Sequence, residues 1–177
     1  MKKIKSFFIF FGSYLKILMK KLTGHHITAD FKTKIERGVQ LRTAGKESII
    51  TFGRYTSIRR NSEIFADGGK ISFESKIFVN RNAVIVSHKE ISIGAGTTIG
   101  PNVLIYDHDH NRQGEGFLSE PIKIGRNVWI GAGAIILKGV SIGDNSVVGA
   151  GSLVTRDVPA YSTYIDKRTP IVIGAKE

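Results

Sequence analysis

The chain has 177 residues, no cysteine, and a formal charge of +11 with an isoelectric point near 10.0. The lack of cysteine excludes disulfides, thiolate metal sites and a cysteine nucleophile. Hydrophobic content of 41% and charged content of 23% describe a globular chain, and the 20 glycines lack the third-residue period of collagen. The positive excess favours an anionic partner: a phosphorylated cofactor, an acidic glycan or a membrane surface. No basic-aromatic motif or recognition-helix pattern occurs, so nucleic acid is not an expected partner.

The amino terminus opens Met1-Lys2-Lys3-Ile4-Lys5 and runs through Phe7, Phe8, Ile9, Phe10 and Phe11 to Lys16, Lys20 and Lys21. Its apolar run is too short to span a bilayer. No small-residue cleavage site follows, so a secretory signal is not expected. Residues 1–34 are read as a basic amphipathic helical segment, ahead of a domain over 35–177. The helix, over residues 1–22, has two expected resting places. One is a protein surface, on its own or a neighbouring subunit. The other is an anionic membrane face.

Next come short aliphatic sets at six-residue spacing. Phe52, Ile58 and Ile64 form one, with Gly53 after the first member. Ile71, Ile77 and Ala83 form a second, and Ile93, Ile99 and Ile105 a third, with Gly94 and Gly100. Irregular stretches at 66–70 and 87–91 shift the phase and are expected to be turn extensions. The period then fails over 106–121, YDHDHNRQGEGFLSEP. A polar stretch this long, protruding from a regular scaffold, is where function concentrates. From there the period is strict: Ile124, Ile130, Ile136, Ile142, Val148 and Val154. Gly125, Gly131, Gly143 and Gly149 follow four of these, and Val128, Ala134, Val140, Ser146 and Ser152 precede five of them by two places.

A six-residue period suits neither a helix nor a hairpin array. It suits a strand of a few residues, a tight bend, and another strand, with three such units closing one triangular coil. Coils stack through main-chain hydrogen bonds at ordinary strand spacing. The aliphatic residue points to the axis, and so does the small residue two before it, because strand side chains alternate. A parallel β-helix is therefore expected from about residue 35 to about residue 158.

The stretch PIKIGRNVWIGAGAIILKGVSIGDNSVVGAGSLVTRDVP over 121–159, with the weaker repeats from about residue 50, resembles the hexapeptide-repeat acyltransferases. The similar branch is that of galactoside, maltose and xenobiotic acetyltransferases. The resemblance implies an all-β, left-handed parallel β-helix that works as a homotrimer, with acetyl-CoA in a cleft between subunits and a sugar hydroxyl as acceptor. It implies no metal. The family's catalytic histidine falls five residues after the aliphatic residue before the loop, which here is His110. His108 is the second possibility, and otherwise supports the loop or lines the acceptor pocket. A sugar hydroxyl is a weak nucleophile, and a neutral imidazole can take its proton during attack.

Asn80, in the segment FVNRN with Asn82, matches an acceptor-contacting position; the alternative for both is an asparagine ladder or turn amide. His88 stands where the family often has an acidic acceptor ligand. Trp129, expected to point outward, matches a residue of the cofactor cleft. Gly131, Ala132 and Ala150 match small residues beside the pantetheine arm, and Thr155 and Arg156 match a Thr-Lys pair near the cofactor phosphates. The carboxyl end departs from the family: Pro170 is kept but the following lysine is not, so Lys167 or Arg168 is expected to supply that phosphate contact.

The expected activity is an acetyl-CoA-dependent O-acetyltransferase acting on a surface glycan or its precursor. It is expected in the cytoplasm, at the inner face of the membrane where the helix would dock. An amino-sugar N-acetyltransferase, a zinc enzyme using His88, His108 and His110, and a non-catalytic β-helix rod are the competing readings.

Overall fold

The computed structural model describes residues 2–111 and 113–166, with the side chains of the first helix described from Phe10 onward. Lys167 and Arg168 lie outside the described residues. Three parallel sheets of six, seven and six strands form the faces of a left-handed triangular β-helix. We call them A, B and C in the order the chain visits them. Face A begins with Ile27–Ala29, face B with Lys34–Ile35 and face C with Gln40–Ala44. The first coil thus includes residues 27–34, ahead of the expected start near residue 35.

Inward positions are mostly aliphatic, with small hydroxyl residues such as Thr56, Ser62, Thr97 and Ser146 among them, and Ile58, Ile64, Ile99, Ile105, Ile130 and Ile136 are fully buried. Each stacks on its equivalent one coil away, as Ile105 does between Ile85 and Ile136. Two inward layers run along the axis because residues two apart on a strand share a face. This corrects the expected phase of the second set. Ile71 stacks on Ile50 and Ile91, whereas Phe73 stacks on Phe52 and Ile93. Ile71, Ile77 and Ala83 therefore belong to the layer two residues earlier. They remain buried, so hydrophobicity alone could not tell the layers apart.

The edges between faces are tight. On the B–C edge the third corner residue adopts positive φ at Gly38, Asn61, Asn82, Asn102, Gly133 and Gly151. Glycine and asparagine tolerate this conformation best. Gly131 is needed for a different reason, close approach: a Cβ there would lie 2.5 Å from the backbone nitrogen of Ala150.

The helix α1, Lys2–Leu22, closes the open end of the first coil. Ser13 and Ile17 are buried. The Ile35 N–H, on the end strand of face B, donates to Ser13 Oγ at 2.9 Å. The Lys16 ammonium donates to Val39 O, and burial, with Lys20 nearby, lowers its pKa. An end strand with unpaired backbone groups is a liability, and the helix covers it. The opposite side of α1 exposes Phe11, Leu15, Leu18, Met19 and Leu22, a stripe at helical spacing. Among the described residues no helix is long and apolar enough to cross a membrane.

Candidate active site

The stretch expected to be a protruding loop contains a β-hairpin. His108–His110 pairs antiparallel with Phe117–Ser119, with His110 opposite Phe117. The hairpin leaves the C–A edge at the end of the fourth coil. Glu120 N–H donates to Asp107 O at 2.8 Å and closes its base. Alternation along the strand puts His108 and His110 on one face, and the Phe117 ring lies 5.0 Å from each imidazole. Asp109 faces the other way, 3.7 Å from Lys138 Nζ, which donates to Glu120 at 3.2 Å. These bonds, the one to Glu120 first, raise the Lys138 pKa and tether the hairpin to the fifth coil. Beside it lies a cleft of about 890 Å³ lined by Asp109, His110, Asn111, Gln113, Leu118 and Lys138.

Asp107 anchors the site and was not singled out from the sequence. Its carboxylate is fully buried. Oδ2 accepts from Ser87 Oγ at 2.7 Å, Lys89 N at 2.9 Å and Glu90 N at 2.8 Å. Oδ1 accepts from His88 N at 2.7 Å and lies 3.3 Å from His108 Nδ1. A buried carboxylate needs such donors to offset its lost hydration. One side chain therefore fixes both the 87–90 turn and the His108 ring. A signal for it did exist: Val103, Ile105 and Asp107 alternate, so Asp107 continues an inward-facing series.

His88 joins this cluster from the coil below. Its ring centroid lies 4.0 Å from those of both His108 and Phe117, and its Nε2 lies 4.0 Å from Asp67 Oδ2. Burial lowers its pKa, helped by the neighbouring His108 and opposed by Asp67 and Asp107. The histidines are thus gathered as a polar-aromatic wall. Among the described residues no group of three or more histidines and carboxylates is arranged to hold a metal ion.

The other expected site residues fall on different edges. Thr155 and Arg156 follow the last strand of face C and share the C–A edge with the histidines. Asn80, Gly131, Ala132 and Ala150 lie on the B–C edge. Asn80 Oδ1 accepts from Arg81 N at 2.8 Å, and Asn82 donates to Asn102 Oδ1 at 3.0 Å in a ladder of turn amides. Trp129 projects outward from face B, paired with Thr98 and Val147 in register, and is 60% exposed. Within one chain, then, the histidine cluster and the Asn80–Ala150 column lie on separate edges.

A model of the hexapeptide repeat of succinyl-transferase matches residues 121–156. Galactoside O-acetyltransferase of Escherichia coli K12 is 36% identical over 147 residues, covering 79% of this chain and 71% of that protein. The chain belongs to the hexapeptide-repeat acyltransferases. Another relative in this family, nodulation protein L of Rhizobium meliloti 1021, is 55% identical over 97 residues, which is 52% of this chain and 53% of that protein. The chain thus spans little more than half the length of that relative. A hexapeptide-repeat acetyltransferase from Vibrio cholerae O1 biovar eltor, solved with acetyl coenzyme A, superposes with a TM-score of 0.56 at 31% identity over 63% of each chain.

Proposed function

We propose that the protein transfers an acetyl group from acetyl-CoA to a sugar hydroxyl of a surface glycan or its precursor. The observation that carries this reading is the hairpin with two histidines on one face, rooted on the buried Asp107 beside a cleft. In the reaction the sugar oxygen attacks the thioester carbonyl carbon while the His110 imidazole takes the hydroxyl proton. The tetrahedral intermediate collapses, the C–S bond breaks, and the imidazolium returns the proton to the departing thiolate. The products are the acetyl ester and free CoA. Backbone N–H groups at the coil edge serve the oxyanion. His108, held on Asp107, lines the acceptor pocket with His88.

The donor lies along Trp129, Gly131, Ala132 and Ala150, where small residues let the pantetheine arm approach the backbone, and Thr155 and Arg156 meet its phosphates. Asn80 contacts the acceptor. These groups are divided between two edges of the prism, which supports a homotrimer in which the C–A edge of one copy faces the B–C edge of the next. No step needs a metal. The exposed stripe on α1, with Lys20 and Lys21 beside it, supports docking at the inner, anionic face of the cytoplasmic membrane.

The test is release of free CoA thiol from acetyl-CoA with a panel of sugars, for wild type, His110→Ala and His108→Ala. Acceptor-dependent release that drops about a hundredfold or more in His110→Ala, and less in His108→Ala, is the expected result. Offering the amino and hydroxyl forms of one sugar separates O- from N-transfer. If wild type neither releases thiol nor binds CoA, the enzyme reading fails in favour of a structural rod.

A further inference from the structure

The B–C edge has two chemically different halves. Its corner tips, one per coil, are Arg37, Arg60, Arg81, Pro101, Ala132 and Ala150. The register of face B, with Ile35 on Ile58 and Ile58 on Val79, stacks the three arginines on consecutive coils. Main-chain bonds through the corners confirm the stacking, since Asn82 N–H donates to Arg60 O at 3.3 Å and Asn102 N–H to Arg81 O at 3.1 Å. Each arginine precedes a residue of positive φ (Gly38, Asn61 and Asn82), so it occupies the outer position of a tight turn. All three are exposed. Neighbouring coils lie ~4.8 Å apart.

Like charges at that spacing repel, and two neighbouring arginines are answered by acids on an adjacent coil. Arg42 pairs with Glu63, and Arg59 with Glu36 at 3.1 Å. Glu36, next to Arg37 in the chain, is taken up by Arg59 and Lys34, and its Oε2 accepts from the Arg60 backbone N–H. Among the described residues none of Arg37, Arg60 and Arg81 forms an ion pair. Three unanswered guanidinium groups in a row, each able to grip two oxygens at once, suit a ligand with several negative charges close together.

We propose that Arg37, Arg60 and Arg81 form a binding track for the phosphates of an activated acceptor, a sugar carried on a diphosphate. The inference rests on the acetyl-transfer reading for the sugar and on the arginine column for the phosphates. Arg81 adjoins Asn80, the expected acceptor contact, and the small residues Ala132 and Ala150 continue the same edge where the donor is expected. Acceptor and donor thus approach along one edge from opposite ends and meet near the fourth coil, the level at which the histidine hairpin leaves the chain.

The experiment uses the full chain and inorganic pyrophosphate as probe. Calorimetric binding is compared for wild type, the triple variant R37Q/R60Q/R81Q, and a control of equal charge loss, K46Q/K70Q/K123Q. Pyrophosphate affinity should fall roughly tenfold or more in the arginine variant and less than about threefold in the control. In the transfer assay, the arginine variant should raise the KM for a nucleoside-diphosphate sugar and leave that of the free sugar unchanged. Equal losses in both variants, or no binding by wild type, would overturn the track. Tighter, arginine-dependent binding of polygalacturonate than of pyrophosphate would replace the phosphate class with a carboxylate one. Arginine-dependent pyrophosphate binding without any acetyl transfer would leave the track standing and refute the enzymatic reading.

Discussion

Asp107 links stability to chemistry within a single side chain. Its carboxylate accepts from three backbone N–H groups and a hydroxyl in a buried setting, so its removal strands donors that water cannot reach. Asp107→Asn presents an amide where an acceptor is needed, and should cost about 3 kcal/mol or more of unfolding free energy in urea titration. His88 adds a pH dependence of definite sign. Its folded pKa is lowered from 6.5, so as the pH falls the unfolded chain takes up the proton first. The associated stability is complete above about pH 6.5 and is lost as the pH drops through the folded value. Thermal melts from about pH 7.5 to 5 should therefore show a flatter profile for His88→Gln than for wild type. An equal slope in the two proteins would contradict that assignment.

At the scale of elements, α1 and the hairpin each use one face for the scaffold and present the other. The inner side of α1 supplies Ser13 and Ile17 to the first coil, and its outer stripe is apolar. Replacing Leu15 and Met19 by glutamate leaves the buried side untouched. The double variant should keep its melting temperature and lose most of its sedimentation with anionic lipid vesicles. Retained sedimentation would exclude the stripe as the docking surface. The hairpin shows how far sequence carries. Its departure from the six-residue period was plain, and so were its histidines. Its internal strand pairing was not, because each strand is only three residues long and is defined by its partner.

At the scale of the molecule, the histidine cluster and the Asn80–Ala150 column occupy different edges, so the proposed reaction would need two chains to complete a site. His110→Ala and Ala150→Trp should each be inactive alone, since one removes the proposed base and the other obstructs the exposed edge proposed for the donor. When the two variants are unfolded and refolded together, activity should return, because some interfaces then combine two intact edges. Failure to regain activity, with mixed oligomers verified by mass, would mean that each chain carries a whole site.

The spacing of aliphatic residues was enough to predict the β-helix. A six-residue period of aliphatic residues suits neither a helix nor a hairpin array, and the glycines that follow those residues mark the bends of a stacked coil. The sequence also determined which residue types were available for chemistry: His88, His108, His110, Asn80 and Trp129. The tertiary structure decided their company. It joined His88 to His108 across one coil and separated both from Asn80. It buried Asp107 at their root and lined up Arg37, Arg60 and Arg81 along one edge. Those relations depend on how many residues each coil spends on its strands and corners; at 66–70 and 87–91 the expected turn extensions are lengthened strands meeting at the two-residue corners 68–69 and 88–89, which a periodic reading conceals. Only the hydrogen-bonded register between coils fixes which side chains become neighbours.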